Sequence, residues 1–208
     1  MLTIICASPI VIFKEISVNT LENRLAKIGI AMPHILLPRQ DIDLKTWAVI
    51  ACDQYTQDEA YWESVYQNIA NKASTGHFIF PEIHLEKPGK AERIQKIHQE
   101  MQKALASDTF DSEFKGFVYL ERQTAYQKNR RGLVVAVDLE AYDWQPQARP
   151  LIRASEGTVT DRLPPRMDIR RKAGLESPHI ILLIDDEEDL LFSAISSRCT
   201  QQPPAYQG

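Results

Sequence analysis

FVYLERQTAYQKNRRGLVVAVD, residues 117–138, holds two β-rich runs, 117–122 and 132–138, joined by the polar stretch Gln123 to Arg131. Aromatic and β-branched runs of this length predict an antiparallel hairpin. Its connection is too long for a two-residue turn, so the tip is expected to be mobile. Upstream, Ile94, Ile97, Met101 and Leu105 recur at helical spacing after Pro88, with Glu92, Lys96, Glu100 and Lys103 elsewhere. That pattern predicts an amphipathic helix. Trp62, Val65, Tyr66 and Ile69 make a second such stripe beginning at Asp58. Thr20 is placed to cap a short helix carrying Leu21, Leu25 and Ile28, with Gly29 at its end.

Three further segments complete the reading. Met32 to Pro38 is bounded by prolines and reads as extended. Trp47–Ala51 (WAVIA) and His179–Ile184 (HIILLI) are continuous apolar runs of strand length, expected to be buried strands. Strands and helices intermix without strict βαβ alternation. The predicted fold class is therefore α/β of the mixed α+β kind: a mixed or antiparallel sheet with a β-hairpin, covered by two or three helices. Residues 1–20 read as an N-terminal extension, 21–191 as one domain, and 192–208 as an unstructured tail lacking apolar periodicity.

Composition narrows the class but names no reaction. The 208 residues suffice for one ordinary domain, and 44% hydrophobic with 25% charged residues is normal for a soluble globular chain. A net charge of -4 argues against a nucleic-acid partner, and no apolar stretch is long enough to span a membrane. Three widely spaced cysteines, Cys6, Cys52 and Cys199, fit a reducing compartment. The apolar start lacks the basic residues of a signal peptide, so a cytoplasmic location is expected.

The chemistry-bearing stretch is RPLIRASEGTVTDRLPPRMDIRRK, residues 149–172. It carries a local charge of +4, leaving -8 for the rest of the chain. A basic segment in an acidic protein concentrates anions. Arg153, Arg162, Arg166 and Arg170 offer forked donors suited to phosphate or carboxylate. Thr158 supplies a hydroxyl, and Glu156 is the carboxylate placed to act as a general base. The competing reading pairs these arginines with Asp161, Asp168 and the acidic run 185–189. A second candidate is Cys52-Asp53-Gln54-Tyr55, directly after the WAVIA run. There Cys52 reads as a buried structural thiol, Asp53 as a catalytic carboxylate, and Gln54 and Tyr55 as substrate contacts. IILLIDDEE resembles a magnesium-binding strand, but no GxxxxGK[ST] loop accompanies it. The five histidines show no zinc spacing, so no metal site is assigned.

Met32 to Thr56, GLVVAVDLEAYDW, LIRASEGTV with RLPPR, and LESPHIILLIDD follow one another as in a known family. In these segments the chain resembles the bacterial and archaeal domain-of-unknown-function family numbered 1015 (DUF1015), over about residues 21 to 191. Typical members carry His-Glu-x-Thr where this chain has Ser155-Glu156-Gly157-Thr158, so the resemblance transfers the glutamate and threonine but not the histidine. An Asp-Arg pair maps onto Pro165-Arg166, transferring the arginine alone. Members are usually longer, which implies a truncated member whose resemblance stops near Leu191.

The expected function is an enzyme binding a small phosphorylated metabolite or nucleotide. The glutamate-plus-arginine cluster is similar to that of free-serine kinases, which implies phosphoryl transfer to a small molecule. Magnesium and a nucleotide would then be the cofactors, because phosphoryl transfer rests on positioning and charge neutralisation. The alternatives are a non-catalytic anion-binding or regulatory domain, and an inactive remnant. Sequence alone does not fix the oligomeric state.

Overall fold

In the computed structural model, the described residues are 2–4, 10–11, 18–143, 145, 147–153, 157, 159–177, 179–199, 201 and 203–207. Ile35, Leu36 and Leu37 are all buried. Side chains alternate across an extended chain. Leu36 therefore enters one core with Trp47, Phe78, Ile94, Ile97 and Met101. Ile35 and Leu37 enter a second core with Val118 and Tyr206. Burial on both faces explains why this segment reads as an unbroken apolar run.

The strands are β1 (Leu2–Ile4), β2 (Ile10–Val11), β3 (Ile30–Ala31), β4 (His34–Leu36), β5 (Phe114–Lys115), β6 (Val118–Arg122), β7 (Arg130–Val134), β8 (Ala136–Val137) and β9 (Leu175–Glu176). The helices are α1 (Val18–Ala26), α2 (Leu44–Trp47), α3 (Glu59–Ile69), α4 (Lys90–Ala106), α5 (Leu163–Arg170) and α6 (Leu190–Cys199). One sheet has the order β5-β4-β1-β9, with β1 parallel to β4 and β9, and β5 antiparallel to β4. A second, β2-β6-β7, is antiparallel, and β3 pairs antiparallel with β8. The fold is mixed α+β.

Local signals formed as read where they were strongest. The hairpin pairs Val118 with Val134 through to Arg122 with Arg130. Asp58 caps α3, its carboxylate accepting from the Tyr61 N–H at 2.9 Å. The α4 helix buries Ile94, Ile97 and Met101, but its last buried position is Ala104, with Leu105 38% exposed. The 3.6-residue period returns position 104 beneath the helix and swings 105 to its flank. Thr20 lies inside α1 rather than at its cap, while Gly29 takes φ +68° just beyond its end.

Three expectations fail, each for a physical reason. Trp47 to Ala51 is not a strand. The carboxylate of Asp43 accepts from the Lys45 N–H at 3.1 Å and starts the helical turn α2, which Trp47 ends. His179–Ile184 is irregular and exposed, Ile180 by 74% and Leu183 by 92%. A strand needs a neighbour for its backbone and apolar face, and none of the described strands pairs with this segment. The expected tail, 192–208, instead contains most of α6. Asp186 accepts from the N–H groups of Leu190 and Leu191 at 2.9 and 3.2 Å, satisfying two of the donors at the start of that helix. Cys199 is buried against Tyr119, and Tyr206 is buried with its hydroxyl donating to the Pro38 carbonyl. Among the described residues no helix is long and apolar enough to cross a membrane.

Tyr206→Ala is expected to cost about 2–4 kcal/mol in denaturant unfolding, through lost burial and an orphaned Pro38 carbonyl. Tyr126→Ala, at a 98% exposed position, is expected to cost under ~0.5 kcal/mol. Equal small losses at both positions would mean that the C-terminal segment does not dock.

Candidate anion-binding site

Residues 78–85, FIFPEIHL, place one acid inside an apolar run. Glu82 opens a short 3-10 turn, Glu82–His84, and its side chain is only 5% exposed. A carboxylate withdrawn from water is costly unless cations face it. Two do. Arg166 Nη2 lies 2.6 Å from Oε1, and Arg162 Nη1 lies 3.2 Å from Oε2.

The backbone explains the convergence. Arg162 ends the 3-10 turn Thr160–Arg162, and the following prolines occupy the first turn of α5, where a missing N–H costs nothing. Four residues on a helical path separate the two arginines, so they share a face. His98 on α4 holds α5 in place, its Nε2 2.8 Å from the Ile169 carbonyl.

The turn after WAVIA arrives at the same point. The Glu82 N–H donates to the Cys52 carbonyl at 2.8 Å. The indole N–H of Trp62 lies 3.3 and 3.1 Å from the carbonyls of Gln54 and Tyr55, pinning the turn to α3. Tyr55 adopts φ +50° and stacks on Tyr61 at 4.1 Å. Burial pushes the Cys52 thiol up; Arg166 opposes this, and Asp53 and Glu82 add to it. At neutral pH it remains a thiol, in keeping with a structural cysteine rather than a nucleophile.

Arg162, Arg166 and the Cys52 turn therefore meet at Glu82. The other expected residues are distributed differently. Arg170 donates to Glu176 from Nε and Nη2 at 3.1 and 2.6 Å. Arg153 donates to the Pro150 carbonyl at 3.3 Å rather than to Glu82. Asp53 and Gln54 are exposed, 3.5 Å apart. Glu156 and Thr158 lie outside the described residues. In the acidic run, Asp186 caps α6 and Asp189 pairs with Arg131 at 2.7 Å. No group of three His, Cys, Asp or Glu among the described residues is arranged to hold a metal. Sequence reasoning missed Glu82; a lone acid between Phe80 and Ile83 was the available signal.

Two positions on, His84 is buried as well, with Nε2 2.7 Å from the Tyr66 hydroxyl. Burial, then the nearby Arg93 and Lys87 charges, lower its pKa to about 4, with Glu59 opposing.

The family model described as protein of unknown function, DUF1015, matches residues 36–208. The chain belongs to this family. The DUF1015 match passes through α6 and Tyr206, so it does not stop near Leu191 as expected. Neither a curated protein nor a solved structure matches the chain.

In this DUF1015 chain, Arg166→Ala leaves Glu82 facing Arg162 alone and is expected to lower stability by about 1–3 kcal/mol. Adding Glu82→Leu should recover part of that loss, because the buried charge goes with its partner. Strictly additive losses would show that the pair does not interact.

His84 supplies a pH dependence of defined sign. Its folded pKa lies below the unfolded value near 6.5, so the unfolded state binds its proton first as pH falls. Stability is therefore full above about pH 6.5 and declines as pH falls through 4, by roughly 3 kcal/mol from this residue. His84→Gln should remove that part of the slope. An unchanged unfolding profile between pH 7 and 4 would place the histidine in water.

Proposed function

We propose that this protein binds a small phosphorylated metabolite or nucleotide at the Arg162–Glu82–Arg166 cluster, beside the Cys52–Tyr55 turn. One observation carries the reading. Glu82 engages a single Nη nitrogen of each arginine, and both side chains remain about half exposed, at 45% and 44%. Each guanidinium offers five donors in a rigid fork. The remaining donors are held in a fixed orientation by a buried anchor, and two cations against one carboxylate leave a net positive charge. An anion arriving there does not have to order the arginines first, which lowers the entropic cost of binding.

The enzymatic extension of this reading is phosphoryl transfer to a small acceptor such as serine. Glu156 would accept the acceptor's proton, Thr158 would orient an oxygen, and magnesium with a nucleotide would supply the phosphoryl group. What supports it is proximity in sequence to Arg162 and the resemblance in the Ser155–Thr158 segment. A cytoplasmic location agrees with this metabolite-binding reading.

Inorganic phosphate or ATP at millimolar concentration should raise the melting temperature, because a ligand of the folded state stabilises it by mass action. Arg162→Lys with Arg166→Lys keeps the charge on Glu82 but loses the fork, and should abolish most of the shift. Glu156→Gln should keep the shift and lose any turnover. An equal shift in the double lysine variant, or none in the wild type, would make the cluster a purely structural clamp.

A further inference from the structure

A groove of about 820 Å³ runs between α4 and the segment 69–84, and neither Glu82 nor its two arginines line it. Its volume is that of a small-molecule site. Ile69, Phe78, Phe80, Pro81, Ile97 and Ala104 give it an apolar wall. Its rim is cationic. Arg93, Lys96 and Lys103 follow one edge of α4, and Lys72 faces them from the other wall. Glu100 is the single acid, and it already has Lys103 at 3.7 Å. The charged side-chain ends of Lys72, Arg93 and Lys96 make no ion pair and no hydrogen bond among the described residues. In a protein of net charge -4, three uncompensated cations around an apolar cleft form a local attraction for anions.

A second observation points the same way. Two side chains of this wall, Trp47 and His84, are 0% and 7% exposed, and Trp47 Nε1 and His84 Nδ1 have no hydrogen-bond partner among the described residues. Buried polar atoms are nearly always satisfied in native proteins. Other polar groups of the same wall are satisfied within the protein. Thr75 donates to the Trp47 carbonyl at 2.8 Å, and His77 Nε2 lies 3.2 and 3.1 Å from the carbonyls of Ile69 and Lys72 at the end of α3. The side chains that carry the two unpartnered nitrogens and the unpaired cations thus line one cleft.

We propose that this groove binds an amphiphilic organic anion, its apolar body against Ile97, Phe78 and Phe80 and its carboxylate, sulfonate or phosphate group on Arg93, Lys96 and Lys72. The site is separate from the Glu82 cluster and does not depend on it. Phosphate alone lacks the apolar body, and a neutral hydrophobe lacks the head, so the two halves of the recognition can be measured apart.

The test uses the full chain with 8-anilinonaphthalene-1-sulfonate as the anion and N-phenyl-1-naphthylamine as its neutral counterpart. The sulfonate is expected to bind with enhanced fluorescence, and Arg93→Ala with Lys96→Ala should weaken it about tenfold, equivalent to ~1.4 kcal/mol. The neutral amine should change by less than about twofold in that variant. Ser107→Trp, on the exposed lip of the groove, should weaken both probes. Hydrogen exchange should show protection by the sulfonate across residues 69–84 and α4. Sulfonate binding that survives the double variant and is lost in Leu183→Asp would overturn the proposal, by assigning the probe to the exposed 180–184 segment. Protection confined to residues 160–170 would overturn it too, by assigning the probe to the arginine cluster. If Arg166→Lys abolished phosphate binding while the groove still bound the sulfonate, the two sites would be shown to be independent.

Discussion

A carboxylate that has left water must be met by positive charge, and at Glu82 that requirement draws α5 and the Cys52 turn to one point. The loop before α5 has few apolar residues with which to anchor itself. Leu163 and Met167 are exposed, and Pro165 is the buried residue of the helix. Its attachment to the body therefore rests on Arg162 and Arg166 reaching Glu82, on Ile169 packed against the main core, and on Arg170 at Glu176 and the Ile169 carbonyl at His98. Such a triad is not a large net source of stability, since desolvation offsets much of the attraction. What it supplies is position: the wrong register of α5 would leave a buried charge unpaired.

The same logic separates what the sequence made legible from what it did not. The hairpin, α3 and α4 are specified by short-range periodicity and by a cap, Asp58, so they could be read in isolation. HIILLI has the composition of a buried strand, yet burial belongs to a pair of surfaces rather than to one. No described strand lies beside residues 179–184, and the apolar run stays in solvent. WAVIA fails differently. Its first residue ends a helical turn started by Asp43, and a cap four residues upstream outweighed the β-propensity downstream. At the C-terminus a single aromatic was invisible to any periodicity argument, although Tyr206 fills the second face of β4.

The candidate site shows a comparable division. That the basic segment would attract an anion followed from charge alone, and Arg162 and Arg166 were among the residues named. Which carboxylate they would meet did not follow. The sequence-based alternatives were Asp161, Asp168 and the run 185–189, and only Asp168 takes an arginine from the basic segment, Arg171 at 3.2 Å. Glu82 is eighty residues away and belongs to a segment with no charge pattern. Long-range pairing of a buried acid leaves a local trace only as an interruption of an apolar run, which FIFPEIHL displays.

The turn Glu82–His84 connects the arginine cluster to the groove. Glu82 faces α5 and its arginines, while His84 meets Tyr66 on α3 and feels the charge of Arg93 on α4. One short 3-10 turn thus separates two cation-rich environments in a molecule whose remaining surface is acidic. The two side chains are accommodated in opposite ways. The acid is retained with counter-ions against it, whereas the histidine, surrounded by cations and withdrawn from water, stays neutral. A neutral His84 adds no positive charge to the groove at physiological pH, so anion attraction there falls to Arg93, Lys96 and Lys72. Acidification toward pH 4 would place a further cation beside them, at a cost to the fold because burial and the Arg93 and Lys87 charges outweigh the opposing Glu59.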